Sequence, residues 1–208
     1  MLHDRDIREP LFDFLEERLG KIRVIEEKTM GRSRADIVMV LPNALAGIEI
    51  KSDADTYARL ERQVVDYDRY FDYNYVVVGS THAMHIREHV PQHWGVISVE
   101  EPEVGDALDF YVLREAERNP HMEPEKKIKL LWRPELAHIQ EKNGMHKYAR
   151  AGKDFVRKKI LETVPEELLW QQVSEELFER DYTMIAETLD EYRKAHAPKP
   201  RRGAKKRR

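Results

Sequence analysis

Two short strings hold the residues best equipped for chemistry: Arg34-Ala35-Asp36-Ile37 and Ile48-Glu49-Ile50-Lys51. Asp36 stands at the start of one apolar run. Glu49 and Lys51 stand two apart at the end of the next. Side chains alternate across a strand, so Glu49 and Lys51 point to the same face. Asp36, on the neighbouring strand, can lie beside them. Two carboxylates and a lysine at one end of a hairpin can hold a divalent metal and polarise a water, the equipment for cutting a phosphodiester. The same spacing also fits a plain Glu49–Lys51 salt bridge at a sheet edge, and spacing alone leaves the two readings level.

The elements around these strings predict how they are positioned. Asp4 to Leu19 reads as an amphipathic helix, with Ile7, Leu11, Phe14, Leu15 and Leu19 at helical spacing and Gly20 as its stop. Ile22 to Ile25 reads as a short first strand, Ala35 to Leu41 as a second, and Ala46 to Lys51 as a third after the turn Pro42-Asn43-Ala44. Thr56 to Phe71 reads as a long helix with Leu60, Val64, Tyr67 and Phe71 along one side. Tyr75 to Val78 is a continuous apolar run closed by Gly79, the pattern of a buried strand. A short helix over His82 to His89, a strand over Gly95 to Val99 and a less regular one over Ala107 to Leu113 complete the first part. This order predicts an α/β fold, a mixed β-sheet flanked by helices. After Asn119-Pro120 the patterns are helical only, and Pro165 followed by Glu166-Glu167 is a good helix start. The expected division is an α/β core over 1–118, an all-helical C-terminal segment over 119–197 with its last helix reaching about Ala195, and a disordered basic tail over 198–208.

The long helix adds Gln63 and Tyr67, four apart and so on one face. Joined to Asp36, Glu49 and Lys51, this glutamine-x-x-x-tyrosine pattern resembles that of the PD-(D/E)XK nuclease superfamily, the restriction-endonuclease-like group. The resemblance covers roughly Asp4 to Val99. The chain is more similar still to a family of bacterial and phage hypothetical proteins within that group. They share the look of Gly47-x-Glu49-Ile50-Lys51-Ser52-Asp53-x-Asp55-Thr56, Arg59-Leu60-x-x-Gln63, Phe71-Asp72, Val77-Val78-Gly79 and Pro91-x-x-Trp94-Gly95. Asn119-Pro120 and Leu130-Leu131-Trp132-Arg133 resemble that family as well. One position departs: Ala35 stands where the superfamily usually has a proline before the first acid.

The resemblance implies a metal-dependent nuclease. Asp36 and Glu49 would ligate Mg²⁺, with Mn²⁺ as a substitute, and the backbone carbonyl of Ile50 would be a third protein ligand. Lys51 would orient the attacking water, and Gln63 and Tyr67 would position the lysine, water or phosphate. Glu27 is a candidate further ligand or base, with Glu26 competing by register and Glu9 as a weaker candidate from the first helix. Lys28, Arg32 and Arg34 are candidate phosphate contacts near the site, and equally ordinary loop cations. Asp53 and Asp55 are expected to cap the following helix. His82, His85, His89 and His93 invite a zinc reading, but Pro91 interrupts their spacing and no thiolate or nearby carboxylate completes the set, so a histidine-rich surface is expected there.

Composition bounds the rest. The chain has 208 residues, 41% hydrophobic and 36% charged, with no cysteine. That excludes disulfides and thiolate zinc sites and fits a reducing cytoplasm. No apolar stretch approaches the roughly 20 residues of a membrane span, and the charged start MLHDRDIREP is not expected to be a secretory leader. The net charge of −3 hides an asymmetry, because the segment 198–208 carries seven basic residues and no acid. Without it, 29 basic residues face 39 acidic ones, so the body is acidic and the tail polycationic. Within the body the stretch 142–159 is the most basic, which makes Lys153, Arg157 and Lys158 candidate nucleic-acid contacts. DNA is the expected partner, with RNA left open. A homodimer or a targeting protein would be further partners, although nothing in the sequence marks either. The alternative is a non-catalytic DNA-binding or adaptor protein that retains the nuclease fold.

Overall fold

The six strands lie in the sheet in the order they have in the chain. β1 (Arg23–Met30), β2 (Ser33–Leu41) and β3 (Ala44–Lys51) form an antiparallel meander. The chain then crosses through α2 (Leu60–Tyr70) to β4 (Tyr73–Gly79), parallel to β3. A second crossover, through α3 (Ser80–Ala83), leads to the parallel β5 (Gly95–Glu100), and β6 (Asp109–Arg114) returns antiparallel. The sheet is therefore mixed and flanked by helices, as the sequence predicts. The computed structural model describes residues 2–102, 105 and 107–180.

Each face of the sheet is covered. On one, α1 (Asp4–Leu19) lays Ile7, Leu11 and Leu15 against Ile37, Met39, Ile48, Ile50, Val77 and Ile97. On the other, α2 contributes Leu60, Tyr67 and Tyr70 to a core with Val38, Val40, Leu45, Val76, Val78 and Trp94. The helices beyond residue 119 join that second core. After α4 (Pro124–Lys127), the helices α5 (Arg133–Lys142), α6 (Lys153–Thr163) and α7 (Glu166–Phe178) bring Leu136, Val156, Ile160 and Trp170 into the same cluster. Lys127, with no exposed surface, ties them to the sheet by an ion pair from Nζ to Asp72 Oδ2 at 2.6 Å. Met1–Phe178 thus form one compact unit, with no division near residue 119.

Several element ends differ from the expectation. β1 runs on from Ile25 to Met30, because the polar residues after Ile25 pair with β2 on an exposed sheet edge, where polarity costs nothing. The helix expected from Thr56 opens as a 3₁₀ turn, Tyr57–Arg59, and becomes α-helical only at Leu60. The expected helix over His82 to His89 is instead α3 and a separate turn, Ile86–Glu88. The last helix to Ala195 and the basic tail lie outside the described residues. Among the described residues no helix is long and apolar enough to cross a membrane.

Gly47 sets the distance between β3 and α2. A Cβ there would drive into the rings of Phe71 and Tyr67, which lie directly against the strand. Gly47→Ala is expected to destabilise the protein by about 1–3 kcal/mol, the usual penalty of overpacking, as read by denaturant unfolding.

Candidate active site

Glu49 and Lys51 end β3 on the face covered by α2, and both are buried, at 1% and 4% exposure. Lys51 Nζ lies 2.5 Å from Glu49 Oε1. α2 supplies the next two groups at the spacing of one helical turn. Gln63 donates from Nε2 to the same Glu49 oxygen, and its Oε1 accepts from Lys51 Nζ at 3.2 Å. The Tyr67 hydroxyl lies 2.8 Å from Glu49 Oε2 and 3.0 Å from the Ile48 carbonyl, and it accepts from the Asp36 backbone N–H at 3.2 Å. Burial first, and the charges of Glu49 and Asp36 next, push the Tyr67 phenol well above its ordinary value, so it serves as a fixed neutral hydrogen-bonding group.

Asp36 enters from β2. Its Oδ2 accepts from the backbone N–H of Ile50 at 2.9 Å. Burial, then the Glu49 carboxylate, raise its pKa from 3.8 to about 7, although the Ile50 bond pulls the other way. The β1–β2 ladder is broken beside it. Glu26 pairs with Ile37 and Lys28 with Ala35, but the rung between them, Glu27 opposite Asp36, is missing. Glu27 holds a left-handed backbone at φ 52°, the one non-glycine residue to do so among those described. The pleat changes sense there: Val38 and Val40 face the α2 core, and so does Ala35. Non-glycine residues in this conformation are strained by about 1–3 kcal/mol and cluster at functional sites.

These groups line one open cleft of about 570 Å³. The expected Asp36, Glu49, Ile50, Lys51, Gln63, Glu27, Arg32 and Arg34 all face it, and Tyr67 lies buried beneath. Glu27 pairs with Arg34 at 2.9 Å and with Arg8 at 3.9 Å. Glu9 does not line the cleft; Asp4 and Arg8 of the same helix do. Arg8 reaches Glu26 at 2.9 Å and the Asp36 carbonyl at 3.4 Å. Lys28 stands over the Trp132 ring instead. Lys153, Arg157 and Lys158 lie on α6 and contribute nothing to the cleft. Arg157 pairs with Asp154 and Lys158 with Glu162, so much of that basic stretch is internally compensated.

Asp53 and Asp55 do not cap α2. Asp55 accepts from the Ser52 backbone N–H and hydroxyl, and Asp53 from Thr81, so both brace the loop that leaves β3. The four histidines do not converge on one point: His82 and His89 both lie against Tyr57, His85 pairs with Glu88 and His93 with Asp68. Sequence reasoning missed Ser33, Arg59 and Arg62 as cleft residues. Arg59 lies inside the motif Arg59-Leu60-x-x-Gln63, and Arg62 precedes Gln63, so their proximity to the lysine was the available signal.

The oxygen donors Asp36, Glu49 and the Ile50 carbonyl suit a hard divalent cation that keeps several waters. Among the described residues no group of three or more His, Cys, Asp or Glu is gathered as metal donors, so water would complete any such shell. Both Glu49 oxygens already accept protein hydrogen bonds, whereas Asp36 Oδ1 accepts none from the described residues.

The family model described as Bacteriophage P4 protein cII matches residues 2–197. No curated protein matches the chain. Among solved structures, SfsA of Pyrococcus furiosus in complex with Ca²⁺ is similar at 14% identity and a TM-score of 0.35, over 53% of this chain. The chain spans 62% of the length of that structure.

The raised Asp36 pKa fixes a pH dependence. The folded protein holds this proton more tightly than the unfolded chain, so the contribution is full below about pH 4 and is lost as pH rises through about 7. Asp36→Asn is expected to raise the melting temperature of the metal-free protein at pH 8 and to leave it nearly unchanged at pH 4, by calorimetry with chelator present.

Proposed function

The chain belongs to the bacteriophage P4 protein cII family, and for this member we propose a metal-dependent nuclease of PD-(D/E)XK type that hydrolyses phosphodiester bonds in DNA. The observation that carries the reading is the convergence of Asp36, Glu49, Lys51 and Gln63 from two strands and a helix on one open cleft. A charged pair buried this deeply costs several kcal/mol in desolvation and adds little net stability, so stability alone does not explain it.

Asp36, Glu49 and the Ile50 carbonyl would hold the cation. The chemistry supplied by bound Mg²⁺, or by Mn²⁺ in its place, is polarisation of a phosphoryl oxygen and acidification of a water. The chain's own groups do the rest. The Lys51 ammonium stabilises negative charge that develops on the phosphoryl group, in a site shielded enough to make that charge effective. Gln63 fixes Lys51 from one side while Glu49 fixes it from the other. Tyr67, bound to Glu49, Ile48 and Asp36 at once, sets the separation and orientation of the two carboxylates.

A second reading is a non-catalytic DNA-binding or adaptor protein. It is favoured by the saturation of both Glu49 oxygens by Lys51, Gln63 and Tyr67. One experiment separates the two. Supercoiled plasmid and labelled single-stranded DNA are incubated with the protein in Mg²⁺, Mn²⁺ or EDTA. The nuclease reading expects metal-dependent cutting that falls about 100-fold or more in Lys51→Ala. DNA that is bound but never cut, in any metal, would establish the second reading instead.

A further inference from the structure

We propose that Ser33, Arg32, Arg59 and Arg62 form a second phosphate-binding subsite in the same cleft, holding a backbone phosphate that neighbours the one at the carboxylates; this rests on the phosphodiester reading above. Most charges of the cleft neutralise one another. Asp4 pairs with Arg8, Glu27 with Arg34, and Glu49 with Lys51. Asp55 is bound by Ser52. The guanidiniums of Arg32, Arg59 and Arg62 have no carboxylate partner among the described residues, and all three residues are exposed. Three uncommitted guanidiniums at the mouth of a site whose floor is acidic make a surface for an anion. Their planar fork of donors suits a phosphate better than a point charge would.

Ser33 gives an independent sign of a ligand. Its residue is only 8% exposed, it lines the cleft, and its Oγ has no hydrogen-bond partner. A buried hydroxyl without a partner is costly, and native proteins keep few. A phosphate oxygen bound at this part of the cleft would satisfy it.

The subsite is also built rigidly. The turn between β1 and β2 is bolted to α2 at two points: the Gly31 N–H donates to the Tyr70 hydroxyl at 3.0 Å, and the Arg32 N–H to Asp66 Oδ2 at 3.2 Å. Gly31 needs its left-handed φ of 55°, and a Cβ there would strike the Asp66 carboxylate. Arg32 and Ser33 stand on the bolted turn and strand. Arg62 stands on the helix that receives the bolts, and Arg59 on the 3₁₀ turn that opens it. The backbones that display these four groups are therefore fixed before a ligand arrives, which lowers the entropic cost of binding.

The test measures binding without cleavage. Asp36→Asn protein in EDTA is titrated with a short fluorescein-labelled single-stranded DNA across a range of salt, read by anisotropy. The same titration is run with Arg59→Gln/Arg62→Gln and with Ser33→Ala added, and melting curves confirm that each variant folds. The double arginine variant is expected to bind about 10-fold or more weakly, with a salt slope shallower by about one for each arginine–phosphate pair removed. Ser33→Ala is expected to weaken binding about 5-fold or more at an unchanged slope, since no charge is removed. Unchanged affinity and slope in the double variant, or a parent that binds no DNA at low salt, would overturn the subsite. If native protein with Mg²⁺ cuts nothing while the arginine dependence holds, the subsite stands and the nuclease reading alone is lost.

Discussion

A carboxylate with almost no exposed surface must be satisfied by the protein around it, and Glu49 imposes that demand on the whole molecule. Its two oxygens take bonds from Lys51, Gln63 and Tyr67. Leaving such a charge unpartnered would cost several kcal/mol, a large part of what keeps a domain of this size folded. The requirement fixes the crossover from β3 through α2, because two of the three donors come from that helix. It also fixes how closely α2 approaches: Tyr67 must touch β3, and only a glycine at position 47 leaves room. The hydrophobic core on that face, from Leu60 to Trp94, then follows from a helix whose position is already decided.

Asp36 shows the opposite economy. Burial first, and the Glu49 carboxylate next, make it resist ionisation, and it sits where the β1–β2 ladder loses a rung and Glu27 adopts a strained backbone. A protein selected only for stability would not keep a half-satisfied acid beside a satisfied one. The strain and the repulsion lie at the same place in the sheet, and a positive ion between Asp36 and Glu49 would relieve the repulsion.

The hairpin, the apolar strands and the Gln63–Tyr67 turn were legible in the sequence because each rests on a local pattern: apolar runs either side of a turn in β2 and β3, four-residue spacing in α2. Glu49, Lys51 and Asp36 could be placed together for the same reason. What stayed hidden depends on pairing across the fold. The polar half of β1 has no strand periodicity, and only β2 makes it a strand. Asp53 and Asp55 look like caps by position, yet their partners Thr81 and Ser52 are set by the loop's path. The basic stretch in α6 looks like a polyanion grip until its cations are matched with Asp154 and Glu162. Arg59 and Arg62 become cleft residues only once the β1–β2 turn is known to lean on α2.

The Lys127–Asp72 pair has a consequence for how such a protein can change over time. Asp72 Oδ2 also accepts from the Leu45 backbone N–H, so the cation that neutralises it is delivered from α4 to the very start of β3. Trp170 of α7 covers that cation at 4.2 Å. The sheet and the helices after residue 119 therefore depend on one another for a satisfied interior. A recombination event that joined this sheet to a different C-terminal half would leave Asp72 buried and bare, so the two halves are expected to travel through a lineage as one gene segment.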